Sequence, residues 1–158
     1  MSNTLGIIPE AYATSGLSQL DTYFAMARGH QKGGVDLPAT EMKKWFDSNY
    51  HYLVPEFSEK SEFKLNDNKP VDDFIEAKEA GYNARPVILG PLTLLWLGKT
   101  SKDAQDPNFN RYSLLPKLAQ TYVQLFEKLA AAGAPWVQLD EPILVVDTAK
   151  QLSNEFKQ

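Results

Sequence analysis

Apolar residues recur at helical spacing in three stretches of the chain. The longest holds Leu115, Leu118, Tyr122, Leu125, Phe126 and Leu129, on one face at the helical period, and predicts a helix from Ser113 as cap to Ala132. Pro116 falls in its first turn, where a missing N–H costs little, and Gly133 ends it. An earlier stretch, Leu20, Tyr23, Phe24 and Ala27, predicts a helix over about 19–28, capped by Ser18, with Asp21 standing where a capping box usually has Glu. Between them Val71, Phe74 and Ile75 share a face after Pro70. That predicts a short amphipathic helix over about 70–80, entered through the turn residues 66–68 and closed by Gly81.

Two short apolar runs have the character of strands. Pro86-Val87-Ile88-Leu89, bounded by Arg85 and Gly90-Pro91, is expected to be a strand buried on both faces of a parallel sheet. Leu92 to Leu97 then continues as a brief helix. Trp136-Val137-Gln138-Leu139 is a second strand, followed at once by the acidic turn Asp140-Glu141-Pro142. Gly29, Gly33, Gly34 and Pro38 read as a loop, residues 41–46 fit strand or helix equally, and 153–158 reads as a terminal helix. Strands alternating with helices imply an α/β fold with parallel pairing, in three or four βα units. A complete eight-unit barrel takes about 250 residues. The chain is therefore expected to be a small open α/β domain or a partial (βα)8 TIM-type barrel, with no internal repeat and no interdomain linker.

Composition narrows the function. The 158 residues, 43% apolar, with eight Phe, seven Tyr and three Trp, allow one domain with an ample core. The absence of cysteine excludes a disulfide framework, a thiolate zinc site and a cysteine nucleophile within the chain. A net charge of −4 without a basic block argues against nucleic acid as a partner. No apolar run is long enough to span a bilayer, and Met1-Ser2-Asn3-Thr4 does not open a signal peptide. A soluble, cytoplasmic protein with no membrane partner is the expectation.

Few residues carry chemistry. Asp140 and Glu141 follow a strand, where parallel α/β proteins place ligand contacts; equally, one of them could cap the following turn. His30 and His51 stand in no metal-ligand spacing. His51, within Asn49-Tyr50-His51-Tyr52, fits a pocket lining or an ordinary packed histidine. Lys43 and Lys44 adjoin Trp45, and in a strand only one of them can face a given cleft, where its ammonium would attract carboxylate or phosphate. Gly90-Pro91 is too short for a phosphate loop, and no nucleotide or serine-hydrolase motif is present. Leu94-Leu95-Trp96-Leu97 fits a core segment better than a partner surface.

Three strings together carry a family resemblance: Glu41-Met42-Lys43-Lys44-Trp45-Phe46-Asp47-Ser48-Asn49-Tyr50-His51-Tyr52-Leu53-Val54-Pro55-Glu56-Phe57, then Arg85-Pro86-Val87-Ile88-Leu89-Gly90-Pro91-Leu92-Thr93, then Trp136-Val137-Gln138-Leu139-Asp140-Glu141-Pro142. In this order they resemble the amino-terminal half of cobalamin-independent methionine synthase, the 5-methyltetrahydropteroyltriglutamate–homocysteine methyltransferase family. The resemblance implies two face-to-face (βα)8 barrels. The carboxyl-terminal barrel handles zinc, homocysteine and the folate ring; the amino-terminal one is a duplicated copy without metal that helps to hold the folate's polyglutamate tail.

Residue by residue, the family lysine that meets this anionic tail matches Lys44, with Asn49 a second substrate-binding candidate. A flexible ammonium can follow a chain of carboxylates without demanding bidentate geometry. In the catalytic barrel the Asp-Glu-Pro motif continues to an Arg-Glu pair, whereas here Val145 and Val146 stand at those positions. The departure marks the non-catalytic copy and makes Asp140 and Glu141 structural or interdomain groups. The resemblance thus implies that residues 1–158 are a single internal fragment of the non-catalytic barrel, inactive alone, with no catalytic or metal-binding residue and no cofactor of its own. Its partners would be the 5-methyltetrahydrofolate polyglutamate tail and the carboxyl-terminal barrel. The implied reaction is zinc-assisted methyl transfer from folate to the thiolate of homocysteine, giving methionine, with the zinc bound outside this segment. The alternative is a non-enzymatic assembly module whose open strand edges associate with a partner.

Overall fold

A computed structural model describes residues 1–147. They fall into two compact units, residues 8–56 and residues 1–7 together with those from Phe57 onward. The expected helix over 153–158 lies outside the described residues.

In the unit spanning 8–56, the short helix α1 (Glu10–Ala13) precedes α2 (Gln19–Arg28). Helix α2 starts where its cap predicts: the Asp21 N–H donates to Ser18 Oγ at 3.1 Å, and that hydroxyl donates to the Asp21 carboxylate at 2.6 Å. Tyr12, Ala25 and Leu37 form the small buried core, and the Tyr12 hydroxyl donates to the Pro38 carbonyl.

The stretch expected as a loop is a β-hairpin instead. Strands β1 (His30–Lys32) and β2 (Val35–Leu37) pair antiparallel with Lys32 opposite Val35. Gly33 and Gly34, at φ of 61° and 81°, make the two-residue turn between them. A Gly-Gly pair suits this turn because both central residues need positive φ, so the glycines pair two strands rather than breaking structure. The ambiguous stretch resolves as β3 (Met42–Lys44), antiparallel to β4 (His51–Leu53). In the connection between these strands, Trp45 meets Phe46 and Tyr52 edge-on, at centroid separations of 5.2 and 6.0 Å.

Strand β5 (Glu56–Phe57) falls where the division is made, and the other unit holds α3 (Lys69–Glu79), β6 (Val87–Leu89), α4 (Pro91–Leu97), β7 (Lys99–Thr100), α5 (Leu115–Ala131) and β8 (Gln138–Asp140). Its core gathers Leu5, Phe57 and Leu95 with the α5 residues Leu118, Leu125 and Leu129, all 0% exposed. The apolar stripe read from the sequence is therefore the face that α5 buries. Helix α5 does not begin on Ser113, however. A 3₁₀ turn, Arg111–Leu114, precedes it, and the Asn110 side chain caps that turn by accepting from the Tyr112 N–H at 3.0 Å. An Asn two residues upstream of a free amide competes well for the capping role, and Pro116 then sits in the first turn of α5 as expected.

Strands β6 and β8 pair in parallel, with Val87 opposite Gln138 and Leu89 opposite Asp140. This is the βα crossover the sequence promised, and strands alternate with helices from β5 to β8, but not in the unit spanning 8–56, where β1 to β4 follow one another. The two hairpins are antiparallel, and the whole is a mixed α/β fold with small parallel and antiparallel sheets and no closed barrel among the described residues. Nor is β6 buried on both faces: Ile88 packs into the core at 2% exposed, whereas Val87, projecting from the opposite face, is 54% exposed. The apolar run after Gly90-Pro91 does form a brief helix, and Leu92, Leu94, Leu95 and Leu97 are buried, a core role as expected.

Candidate functional site

Two places hold the residues singled out for chemistry. The first is the carboxyl end of the parallel pair. Chain pairing brings Gly90, at the end of β6, against Asp140, whose carbonyl accepts the Gly90 N–H at 2.7 Å. The next residue, Glu141, then reaches over the start of α4. Its carboxylate accepts the Leu92 N–H at 2.9 Å, the Thr93 N–H at 2.7 Å and the Thr93 hydroxyl at 2.6 Å. Pro91 has no N–H to offer, so these are the first two amides of α4, donors that a helix leaves without intrahelical partners. A carboxylate there also complements the positive end of the helix.

The approach is close enough to dictate the glycine. A Cβ at position 90 would lie 2.1 Å from the carboxyl carbon of Glu141, so any side chain there would displace the carboxylate. Thr93, fully buried, completes the cluster by accepting the Ile143 N–H at 3.3 Å. Beneath it the Tyr122 hydroxyl donates to the Leu89 carbonyl at 2.7 Å. Burial, and secondarily the negative charge of Glu141, push the Tyr122 pKa well above the ordinary phenol range. Asp140 accepts the Gln138 side-chain amide at 2.8 Å. Glu141 does not cap the turn that follows it, as one reading of the acidic pair had it; both its oxygens are engaged instead at the start of α4, by the protein itself.

The second place is the β3–β4 hairpin. Lys44 closes β3 with its side chain exposed, directly across from His51, the first residue of β4. Asn49 is exposed in the connection, where the Trp45 N–H donates to the Tyr50 carbonyl at 2.7 Å. Neighbouring side chains of a strand project oppositely, and the Lys43 ammonium is taken up by Glu41 at 3.1 Å. The side chains of Lys44, His51 and Asn49 have no hydrogen-bond or ion-pair partner among the described residues. The structure thus brings Lys44 and Asn49 into one hairpin and keeps Asp140 and Glu141 in the other unit.

Sequence reading missed the partners of Glu141. Thr93 and Gly90 lie about fifty positions away in the chain, and the only local hint was a Gly-Pro pair opening an apolar helix. The described residues do not fit a zinc site. There is no cysteine, His30 and His51 lie on strands of different hairpins, and among the described residues no three His, Asp or Glu are grouped to hold a metal. Nor, among the described residues, is any helix long and apolar enough to cross a membrane.

Comparison with known proteins adds an independent finding. The family model described as "Cobalamin-independent synthase, N-terminal domain" matches residues 1–158. The chain is 49% identical, over 99% of its length, to a probable 5-methyltetrahydropteroyltriglutamate–homocysteine methyltransferase of Schizosaccharomyces pombe, covering 21% of that protein. It is 50% identical over 93% of its length to the 5-methyltetrahydropteroyltriglutamate–homocysteine methyltransferase of Saccharomyces cerevisiae, covering 20% of it. A Chelativorans protein of the same name is 49% identical over 99% of the chain, which covers 21% of that relative. The chain spans about a fifth of the length of the curated relatives it matches.

Proposed function

The chain belongs to the cobalamin-independent synthase family, at its amino-terminal domain, and from that premise we propose that it is the folate-tail-binding part of a methyltransferase converting homocysteine to methionine. In this reading β6 and β8 are two strands of a (βα)8 barrel completed by other polypeptide. Zinc, homocysteine and the methyl-transfer step belong to a carboxyl-terminal barrel outside residues 1–158, and the chain alone forms no methionine. Its own contribution is to bind and orient the polyglutamate tail of 5-methyltetrahydrofolate in the cytoplasm.

The observation that carries this reading is Lys44: exposed, without an ion-pair partner among the described residues, and set on a hairpin that also presents Asn49. An ammonium in that state can exchange water for a carboxylate of the tail without first breaking an internal salt bridge. The test is equilibrium binding of triglutamate and monoglutamate forms of 5-methyltetrahydrofolate to the full polypeptide carrying Lys44→Ala. A charge-assisted contact is worth about tenfold in affinity, so triglutamate binding should weaken by about that factor while the monoglutamate is unaffected. Equal losses for both ligands would overturn the tail assignment.

Exposed apolar residues favour a second reading, association through the open parallel pair. Trp136 and Leu139, entering and within β8, are 65% and 43% exposed, and Val87 on β6 is 54% exposed. In that case the chain should self-associate in dilute solution, and a monomeric mass would dismiss it.

A further inference from the structure

The hairpin holds a second group suited to the same anion, and its placement follows from strand register. Around the Lys44–His51 pair, the Trp45 N–H donates to the Tyr50 carbonyl at 2.7 Å on one side. Further along, the Val54 N–H donates to the Glu41 carbonyl at 2.9 Å. Hydrogen-bonded and non-hydrogen-bonded pairs alternate along an antiparallel ladder, so Lys44 and His51 form a non-hydrogen-bonded pair. In such pairs the Cα atoms approach to about 4.5 Å and the side chains leave the same face side by side.

The rest of that face offers no competing charge. Along β3 and β4 it carries Met42 and Leu53, which are partners in the same register. Glu41 and Lys43 are paired with each other at 3.1 Å, and Lys43 projects from the opposite face with Tyr52. Both Lys44 and His51 are exposed, and neither side chain has a hydrogen-bond or ion-pair partner among the described residues. An imidazole donates through a ring N–H whether neutral or protonated, and the ammonium beside it has three donors. Two adjacent donors without acceptors are matched by a ligand carrying more than one carboxylate.

We propose that His51 is a second contact for the anionic folate tail, its ring N–H meeting a carboxylate of the same polyglutamate chain that Lys44 holds. The inference rests on the reading of Lys44 as a tail-binding residue. It adds that the hairpin grips the tail at two points, so that the pair discriminates between tails of different length.

The test compares His51→Val, His51→Lys and Lys44→Ala in the full polypeptide, with triglutamate and monoglutamate 5-methyltetrahydrofolate as equilibrium-binding probes. His51→Val, which keeps a strand-forming side chain but no donor, should weaken triglutamate binding about tenfold and leave the monoglutamate unchanged. His51→Lys should keep the preference for the triglutamate, because a cation replaces the donor. Full triglutamate affinity in His51→Val, with a loss in Lys44→Ala, would overturn the role of His51 and leave that of Lys44 standing. No triglutamate loss in Lys44→Ala would overturn the tail reading itself and this inference with it. Equal losses for both ligands in His51→Val would make the histidine structural, against the proposal. Should His51→Val fail to fold, His51→Phe, which keeps a flat ring without a donor, decides in its place: about tenfold weaker triglutamate binding with the monoglutamate unchanged supports the contact, and full triglutamate affinity overturns it.

Discussion

The acidic strand end and the basic hairpin hold similar chemical raw material in opposite states. Glu141 is surrounded: two backbone amides and a buried threonine hydroxyl fill its acceptor positions, and Gly90 leaves it just enough room. Lys44 is exposed on a short strand with no partner among the described residues. A charged group satisfied by its own protein stabilises the fold, while one left solvated remains available to a ligand. The carboxylate in the place where α/β proteins put ligand contacts is thus the structural one, and the lysine on an unremarkable hairpin is the candidate for binding.

The contrast can be broken most directly at Glu141. Replacement by Ala strips the start of α4 of its acceptor and leaves Leu92, Thr93 and the threonine hydroxyl unpaired in a part-buried site. Denaturant unfolding should show a loss of about 2–4 kcal/mol; a change below about 0.5 kcal/mol would mean the cap is ornamental and the carboxylate free for other work. Tyr122→Phe is a milder probe of the same cluster, removing the hydrogen bond to Leu89 at a cost of about 1 kcal/mol.

Tyr122 also makes a pH prediction. Its hydroxyl ionises less readily in the folded chain than in the unfolded one. The stability it contributes is therefore complete below the ordinary tyrosine pKa of about 10, and is lost as pH rises above that value, because the unfolded chain gives up the proton first. Urea midpoints measured from pH 8 to pH 11 should fall at the alkaline end, and less steeply in Tyr122→Phe. At the other extreme, Lys44→Ala should shift unfolding by no more than about 0.5 kcal/mol while weakening triglutamate binding, the reverse of the Glu141 pattern.

Legibility in the sequence followed the range of the interaction that decides each feature. Helix α2, its Ser18 cap and the buried stripe of α5 were readable because they depend on residues three and four apart. The β1–β2 hairpin was missed although its signal was local, since Gly33-Gly34 supports either a loose loop or a tight primed turn and only the pairing of the flanking residues chooses. At the hairpin of Lys44, residue identity was enough to nominate Lys44 and Asn49, but the position of His51 beside Lys44 depends on where the six-residue connection lets the strands meet. The engagement of Glu141 was less visible still, because its partners Leu92 and Thr93 come from a distant helix.

The sequence by itself determined helices α2 to α5, the strand at Val87–Leu89, the absence of thiolate ligands and the family, because periodicity, composition and motif order are properties of the chain read in line. Only the tertiary structure decided which charges are consumed and which are left over. That outcome depends on which elements pair and in what register: parallel pairing of β6 with β8 delivers Glu141 to the amides of α4, and antiparallel pairing of β3 with β4 sets His51 beside a Lys44 that no carboxylate among the described residues has claimed.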